Sequence, residues 1–195
     1  MRETKNASEA ENLADAQRLA AMFEAVNRLP VPLIGKIHGA ALGGGTGLAA
    51  CCDHVLAVSD ASFGLTEVRL GIVPAVISPY VIAKIGHSQA RSLFTSGRRF
   101  SADEGLRIGL VHEVPEDRES LEIRTQIAIK EWLKAGPQAA RAAKKLIFDL
   151  PALPSAEKIR EHTVRLIAGI RVGEEAQEGM GALLEKRKPR WFPEE

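Results

Sequence analysis

The chain has 195 residues, enough for one domain with a substantial core or for a compact domain plus a helical appendage. Its 26 Lys and Arg stand against 25 Asp and Glu, a formal charge of +1, so no broad field recruits nucleic acid or an anionic membrane. A hydrophobic share of 45% with no apolar run approaching a membrane span reads as a globular protein, expected in the cytoplasm.

Met1 to Glu11 mixes charges and has no apolar core, so it does not read as a secretory signal. Leu19, Met22, Phe23 and Val26 then fall at helical spacing, predicting an amphipathic helix from Asn12 to Leu29 that Pro30 ends. Val31 to Ile37 reads as a short strand. A glycine-rich turn follows and opens a buried helix to about Cys52. His54 to Val58 is a second strand, apolar throughout as in a covered parallel sheet. Ser62 to Leu65 adds a short strand before a loop from Arg69 to Pro74, and Ile77 to Ile85 is a helix closed by Gly86. Ser101 with Glu104 three residues on forms a capping box, so Ala102 to Ile108 is a short helix, and Leu110 to Val114 is a last strand. From Asp117 onward the pattern is helical: one helix to about Lys134, one opened by Pro137, one after Pro154 and one after Gly173. The expected fold is α/β with a helical C-terminal region, divided at 1–115 and 116–195. The stripe of Ile159, Val164, Leu166, Ile167 and Ile170 must pack either on the chain's own sheet or on another copy.

The chemistry concentrates in His38-Gly39-Ala40-Ala41-Leu42-Gly43-Gly44-Gly45-Thr46-Gly47. The first amides of a helix have no intrahelical acceptor and sit at the positive end of its dipole, so glycines there let a ligand oxygen approach bare N–H groups. That arrangement can serve as an oxyanion hole, or simply as a tight turn needing positive φ. Gly45-Thr46-Gly47-Leu48-Ala49-Ala50 also fits a G-x-G-x-x-A dinucleotide fingerprint, with Asp60 after the next strand. Against that reading, no further strand and helix alternation builds a doubly wound sheet. Cys51 and Cys52 read as small core residues. The five histidines show no metal spacing, so no metal site is expected. Glu67 is either an acid/base facing a pocket or a surface glutamate paired with Arg69.

The glycine turn, Cys52-Asp53, Ser62-Phe63-Gly64-Leu65-Thr66-Glu67-Val68-Arg69-Leu70-Gly71-Ile72-Val73-Pro74, Arg98-Arg99-Phe100-Ser101-Ala102-Asp103-Glu104, Gly109-Leu110-Val111, Glu178-Gly179-Met180 and Glu185-Lys186-Arg187-Lys188-Pro189 together resemble the enoyl-CoA hydratase/isomerase, or crotonase, superfamily. Ala75-Val76-Ile77-Ser78-Pro79 is most similar to its methylglutaconyl-CoA hydratase branch. The resemblance implies a crotonase-like fold of ββα units and a hydratase-type lyase adding water to an α,β-unsaturated acyl-CoA through a thioester enolate. On it, the Gly44 amide donates to the thioester oxygen, Glu67 moves the proton, and Gly43 and Gly45 keep the turn open. Gly47, Leu70, Pro74, Leu183 and Lys186 would lie along the substrate and its coenzyme A, with Lys186 near a phosphate. Lys186-Arg187-Lys188 also suits a helix C-terminus for dipole reasons alone. No cofactor is implied beyond the coenzyme A of the substrate. The implied partners are an acyl-CoA and further copies of the chain, as a homotrimer or homohexamer, with neither nucleic acid nor membrane.

Two departures from the family pattern bear on the reaction. Many family hydratases carry a second glutamate where this chain has Gly47, so Glu67 works alone here, or the chemistry needs one base only, as in double-bond isomerisation. Family members also carry residues ahead of the Asn12 helix that supply early strands and a second oxyanion N–H. Their loss would expose a sheet edge and leave a catalytically impaired, truncated member acting as an assembly subunit as a further alternative.

Overall fold

The computed structural model describes residues 7–193, so part of the Met1 to Glu11 stretch lies outside the described residues. Two compact units divide them, one holding the residues up to Leu29 with Leu33–Thr125, the other Pro30–Pro32 with the residues from Gln126 on.

In the first unit, helix α1 (Glu9–Asn27) starts earlier than its apolar stripe predicts, because Ser8 and Glu11 form a capping box that draws the first turn in. Strand β1 (Ile34–Ile37) pairs in parallel with β3 (His54–Ala57), Ile34 opposite His54, as the continuous apolar run of β3 requires. Between them lie β2 (Ala40–Leu42) and helix α2 (Gly44–Cys51). Sequence reasoning took β2 for part of the glycine turn, since three residues are too few for an alternation to show. It pairs in parallel with β4 (Ser62–Gly64), which pairs antiparallel with β5 (Arg99–Ser101), another strand the sequence reading did not assign. The two small sheets, β1-β3 and β2-β4-β5, carry the core: Val55, Leu56, Phe63, Leu65 and Leu93 are fully buried, and Phe63 stacks on Phe100 at 5.6 Å between ring centres. No doubly wound sheet stands among the described residues, which removes the fold that a dinucleotide fingerprint at Gly45 needs.

Thr46 ties these layers together. Its buried hydroxyl donates to the Ala41 carbonyl at 2.7 Å and accepts from the Gly64 amide at 3.2 Å, joining α2 to both β2 and β4. Thr46→Val keeps the shape but strands both backbone groups, so it is expected to destabilise the protein by about 1–3 kcal/mol, read as a lowered denaturant midpoint with unchanged slope.

Two expectations are corrected beyond β2. Leu110 to Val114 is not a strand: this segment touches β3 through a single bridge, Leu56 to Glu113, because the His112 and Glu113 amides both turn to the Val55 carbonyl and Pro115 has no amide to extend a ladder. The turn after β4 is not open from Arg69, since Thr66–Leu70 forms a 3-10 helix ended by Gly71 at φ 75°. Helix α3 (Ser78–Ser96) does break at Gly86, with φ 72° and ψ 164°, but a second helical run follows and buries Ala90 and Leu93. In the next helix, α4 (Ala102–Arg107), half the expected capping box forms. Ser101 accepts from the Glu104 amide, while the Glu104 carboxylate pairs with Arg98 and is held below its usual pKa by that guanidinium.

Helix α5 (Arg118–Trp132) contains the division between the units. The second unit is helical, as Pro137, Pro154 and Gly173 predicted: α6 (Pro137–Asp149), α7 (Ala156–Arg171) and α8 (Glu174–Leu184). Glu175 of α8 caps α6 by accepting from the Gln138 and Ala139 amides at 2.9 and 2.7 Å. Lys144 is buried and donates to the Val31 carbonyl at 3.0 Å, fastening the Pro30–Pro32 segment to α6. Val164 and Ile167 of the apolar stripe remain exposed.

The tail after α8 is held by Glu178, which accepts two hydrogen bonds from Arg187, at 2.6 and 3.0 Å, and one from the Arg190 amide at 3.0 Å. The Arg187 guanidinium chiefly brings the Glu178 pKa down from 4.5 to about 2. A carboxyl depressed in the folded state stabilises above its unfolded value, and that contribution fades as pH falls from 4.5 toward 2. Glu178→Gln is therefore expected to lower the melting temperature at pH 7 and to flatten the acid limb of a stability profile, measured by thermal melts across that interval.

Candidate functional site

The first unit contains a cavity of about 330 Å³ between α1, the start of α2 and the segment from Glu67 to Ile77. Three residues singled out in the sequence meet there, namely Gly44, Glu67 and Pro74. Gly43, at φ 53°, turns the chain from β2 into α2, and its amide donates to the Gly64 carbonyl at 2.7 Å. That bond leaves Gly44 as the first residue of α2, whose amide has no acceptor within the helix.

Each glycine of the turn has its own reason for lacking a side chain. A Cβ on Gly43 would sit 2.9 Å from Glu67 Oε1, so the carboxylate occupies the space this glycine vacates. At Gly44 and Gly45 a Cβ would meet only ordinary neighbours, Phe23 at 3.9 Å and Ala41 at 3.6 Å. The packing of the chain does not demand a glycine at either position, and at Gly44 the open space faces the cavity. Gly47 differs. It is buried, and a Cβ there would collide with Ile77, approaching its Cβ to 2.8 Å and the Phe23 ring to 3.1 Å. Gly45, Gly47 and Leu70 do not line the cavity, and Leu70 is largely exposed.

Glu67 projects from the 3-10 helix after β4. Its Oε2 is buried and makes no hydrogen bond, and no ion pair with Arg69 forms. An unpartnered buried carboxylate oxygen is costly to maintain, which marks it as a group set for a ligand or a proton. The rest of the wall is apolar: Leu19, Met22 and Phe23 from α1, Leu48 from α2, Val73 and Ile77 beyond the 3-10 helix. The α1 stripe was legible as a helix face, yet its share in a pocket was not, since a core stripe and a pocket wall have the same spacing. Chemically, the cavity offers one carboxyl group and one helix-start amide without an intrahelical acceptor, set among apolar side chains of which Leu19, Met22, Leu48 and Val73 are also exposed to solvent.

Leu183 and Lys186 lie in the second unit. Leu183 is exposed on α8. Lys186 is exposed just past its end, in the left-handed conformation at φ 55°, with the Arg187 amide closing back on the Ala182 carbonyl. Among the described residues no cluster of three or more His, Cys, Asp or Glu side chains is placed to hold a metal, and no helix is long and apolar enough to cross a membrane.

A family model described as enoyl-CoA hydratase/isomerase matches residues 1–194. A Thermus thermophilus relative provisionally named an enoyl-CoA hydratase is 32% identical over 181 residues, covering 93% of this chain and 71% of the relative. Among solved structures, an enoyl-CoA hydratase from Shewanella pealeana superposes with a TM-score of 0.92 at 38% identity, over 98% of this chain and 71% of its own. Pseudomonas aeruginosa AtuE gives 0.91 at 35% identity, over 97% and 73%.

Proposed function

The chain belongs to the enoyl-CoA hydratase/isomerase family, and from that premise we propose that it handles an enoyl-CoA through a thioester enolate, with Glu67 as the proton carrier and the Gly44 amide as a donor to the thioester oxygen. The observation that carries this reading is the cavity lined by both Gly44, the first residue of α2, and Glu67, whose Oε2 is buried without a hydrogen-bond partner. Water addition across the α,β double bond and migration of a β,γ double bond both place negative charge on the thioester oxygen, in a 3-hydroxyacyl enolate for the first and a dienolate for the second. The apolar wall favours a hydrocarbon acyl tail. Among the described residues, no Lys or Arg lines the cavity to pair with the carboxylate of a 3-methylglutaconyl-CoA tail.

Lys186 is the side chain we assign to a coenzyme A phosphate, with Leu183 near the adenine. A non-glycine residue held at φ 55° carries a conformational cost of about 1 kcal/mol, consistent with a lysine retained for its charge. The exposed Val164 and Ile167 support self-association as a trimer or a pair of trimers. The experiment is turnover of short and medium enoyl-CoA thioesters, followed by the absorbance of the conjugated thioester and by mass analysis of products. Turnover supports the reading, and inertness toward every thioester, with discrete oligomers present, would favour an assembly subunit instead.

A further inference from the structure

The side of β3 that faces away from β1 is closed by residues 110–116. The Ala57 amide donates to the Glu113 carbonyl at 3.0 Å, and the Ser59 amide to the Pro115 carbonyl at 2.9 Å. At Val55, which is fully buried, the pattern changes. The His112 and Glu113 amides both turn to the Val55 carbonyl, at 2.8 and 3.3 Å, and the Val55 N–H goes to a side chain instead. Nδ1 of His112 accepts it at 2.9 Å. An imidazole thus stands where a strand neighbour would offer a carbonyl, and it can do so only while Nδ1 carries no proton.

Three elements bring charge to this ring. From β3, the His54 ring lies 4.9 Å away between centres, and its Nε2 meets the Glu113 carboxylate at 3.1 Å. From α5, Arg124 donates to the same carboxylate at 2.6 Å. From α3, Lys84 faces the ring while its Nζ donates to the Cys52 carbonyl at 2.7 Å. Burial raises the Glu113 pKa, but the hydrogen bonds from Arg124 and His54 leave it below 4.5, so this carboxylate stays ionised where histidines titrate. We propose that His112 is an acid-operated latch on β3: while neutral it completes the hydrogen bonding of Val55 and holds residues 110–116 closed, and protonation at Nδ1 sets two donors face to face and lets that segment lift before the core opens. The ring reaches solvent, so a proton has access. Partial burial, then Lys84 and His54, lower the His112 pKa from its usual 6.5. A histidine that the fold keeps neutral stabilises fully above 6.5, and that contribution is lost as pH falls below it toward the lowered value. Neither His54 nor His112 lines the cavity beside Glu67, so the latch holds whichever reaction that cavity supports.

The test is amide hydrogen exchange, read residue by residue by NMR between about pH 7.5 and 5, with each rate divided by its intrinsic rate at the same pH. In the native protein, protection at Val55 and Ala57 is expected to fall by up to about tenfold per pH unit below 6.5 and then level off, while Leu93 in α3 does not follow. His112→Asn places an amide oxygen near the position of Nδ1, an acceptor that no proton blocks in this range, so protection at Val55 should stay flat. His54→Gln removes a like charge from beside the ring, so opening should begin at a higher pH than in the native protein. Protection at Val55 that does not depend on pH in the native protein overturns the latch. So does a His112→Asn variant that opens with acid as the native protein does, and so does loss of protection at Leu93 in step with Val55, which would mean that the whole core opens at once.

Discussion

Glu67→Gln is expected to lower enoyl-CoA turnover by about 10²- to 10⁴-fold, the range associated with a positioned acid/base, with little change in KM. The side chain keeps its length, so it still occupies the space beside Gly43, where a Cβ would lie 2.9 Å from Oε1. What it loses is the ability to take and return a proton. The buried Oε2 accepts no hydrogen bond that the substitution would break, so the variant is also expected to keep a melting temperature close to the native one. A variant that is inactive yet no less stable would identify Glu67 as a residue kept for chemistry. One that retains most of the native rate would show that the proton moves through another group.

The second large effect concerns a main-chain atom. Gly44→Pro removes the amide hydrogen assigned to the thioester oxygen, and proline is well accepted at the first position of a helix, where the N–H has no intrahelical partner. Loss of such a donor lowers the rate by about 10²- to 10³-fold. Gly44→Ala is the matched control, since it keeps the hydrogen and adds a methyl that would lie 3.9 Å from Phe23. The alanine variant should retain far more activity than the proline variant, with both showing native circular dichroism. Equal losses would mean that bulk at this position, and not the donor, governs the rate.

These two residues were legible from order and spacing in the chain. A glycine turn between a strand and an apolar helix, followed by a glutamate after another short strand, suffices to bring Gly44 and Glu67 to one cavity, because parallel pairing of β2 with β4 sets both turns at the same end of the sheet. The helices were legible for a similar local reason: Pro137, Ser101, Gly173 and Gly86 act on neighbouring backbone atoms. Strands β2 and β5, three residues each, were not, since their pairing is decided by partners far along the chain. The bridge at Glu113 was overestimated as a strand for the mirror-image reason: Leu110 and Val111 are apolar and buried, but burial alone does not create a ladder. The closure of position 47 by Ile77 was also invisible. The missing second carboxylate could be read directly at Gly47, whereas the side chain filling its place comes from a different element, and only the packing reveals it.

Cys51 carries a consequence for how the molecule can be watched. Its thiol is buried at the end of α2, near the Phe23 carbonyl at 3.8 Å, and desolvation pushes its pKa up to about 11. Alkylating reagents attack the thiolate, so in mildly alkaline buffer this sulfur stays silent while α1 and α2 remain packed together, and it reacts when they part. Cys52 next to it is only half-buried. The two adjacent sulfurs thus form a built-in chronometer, the outer one labelled on the intact protein and the inner one counting each opening of the helix pair that walls the cavity.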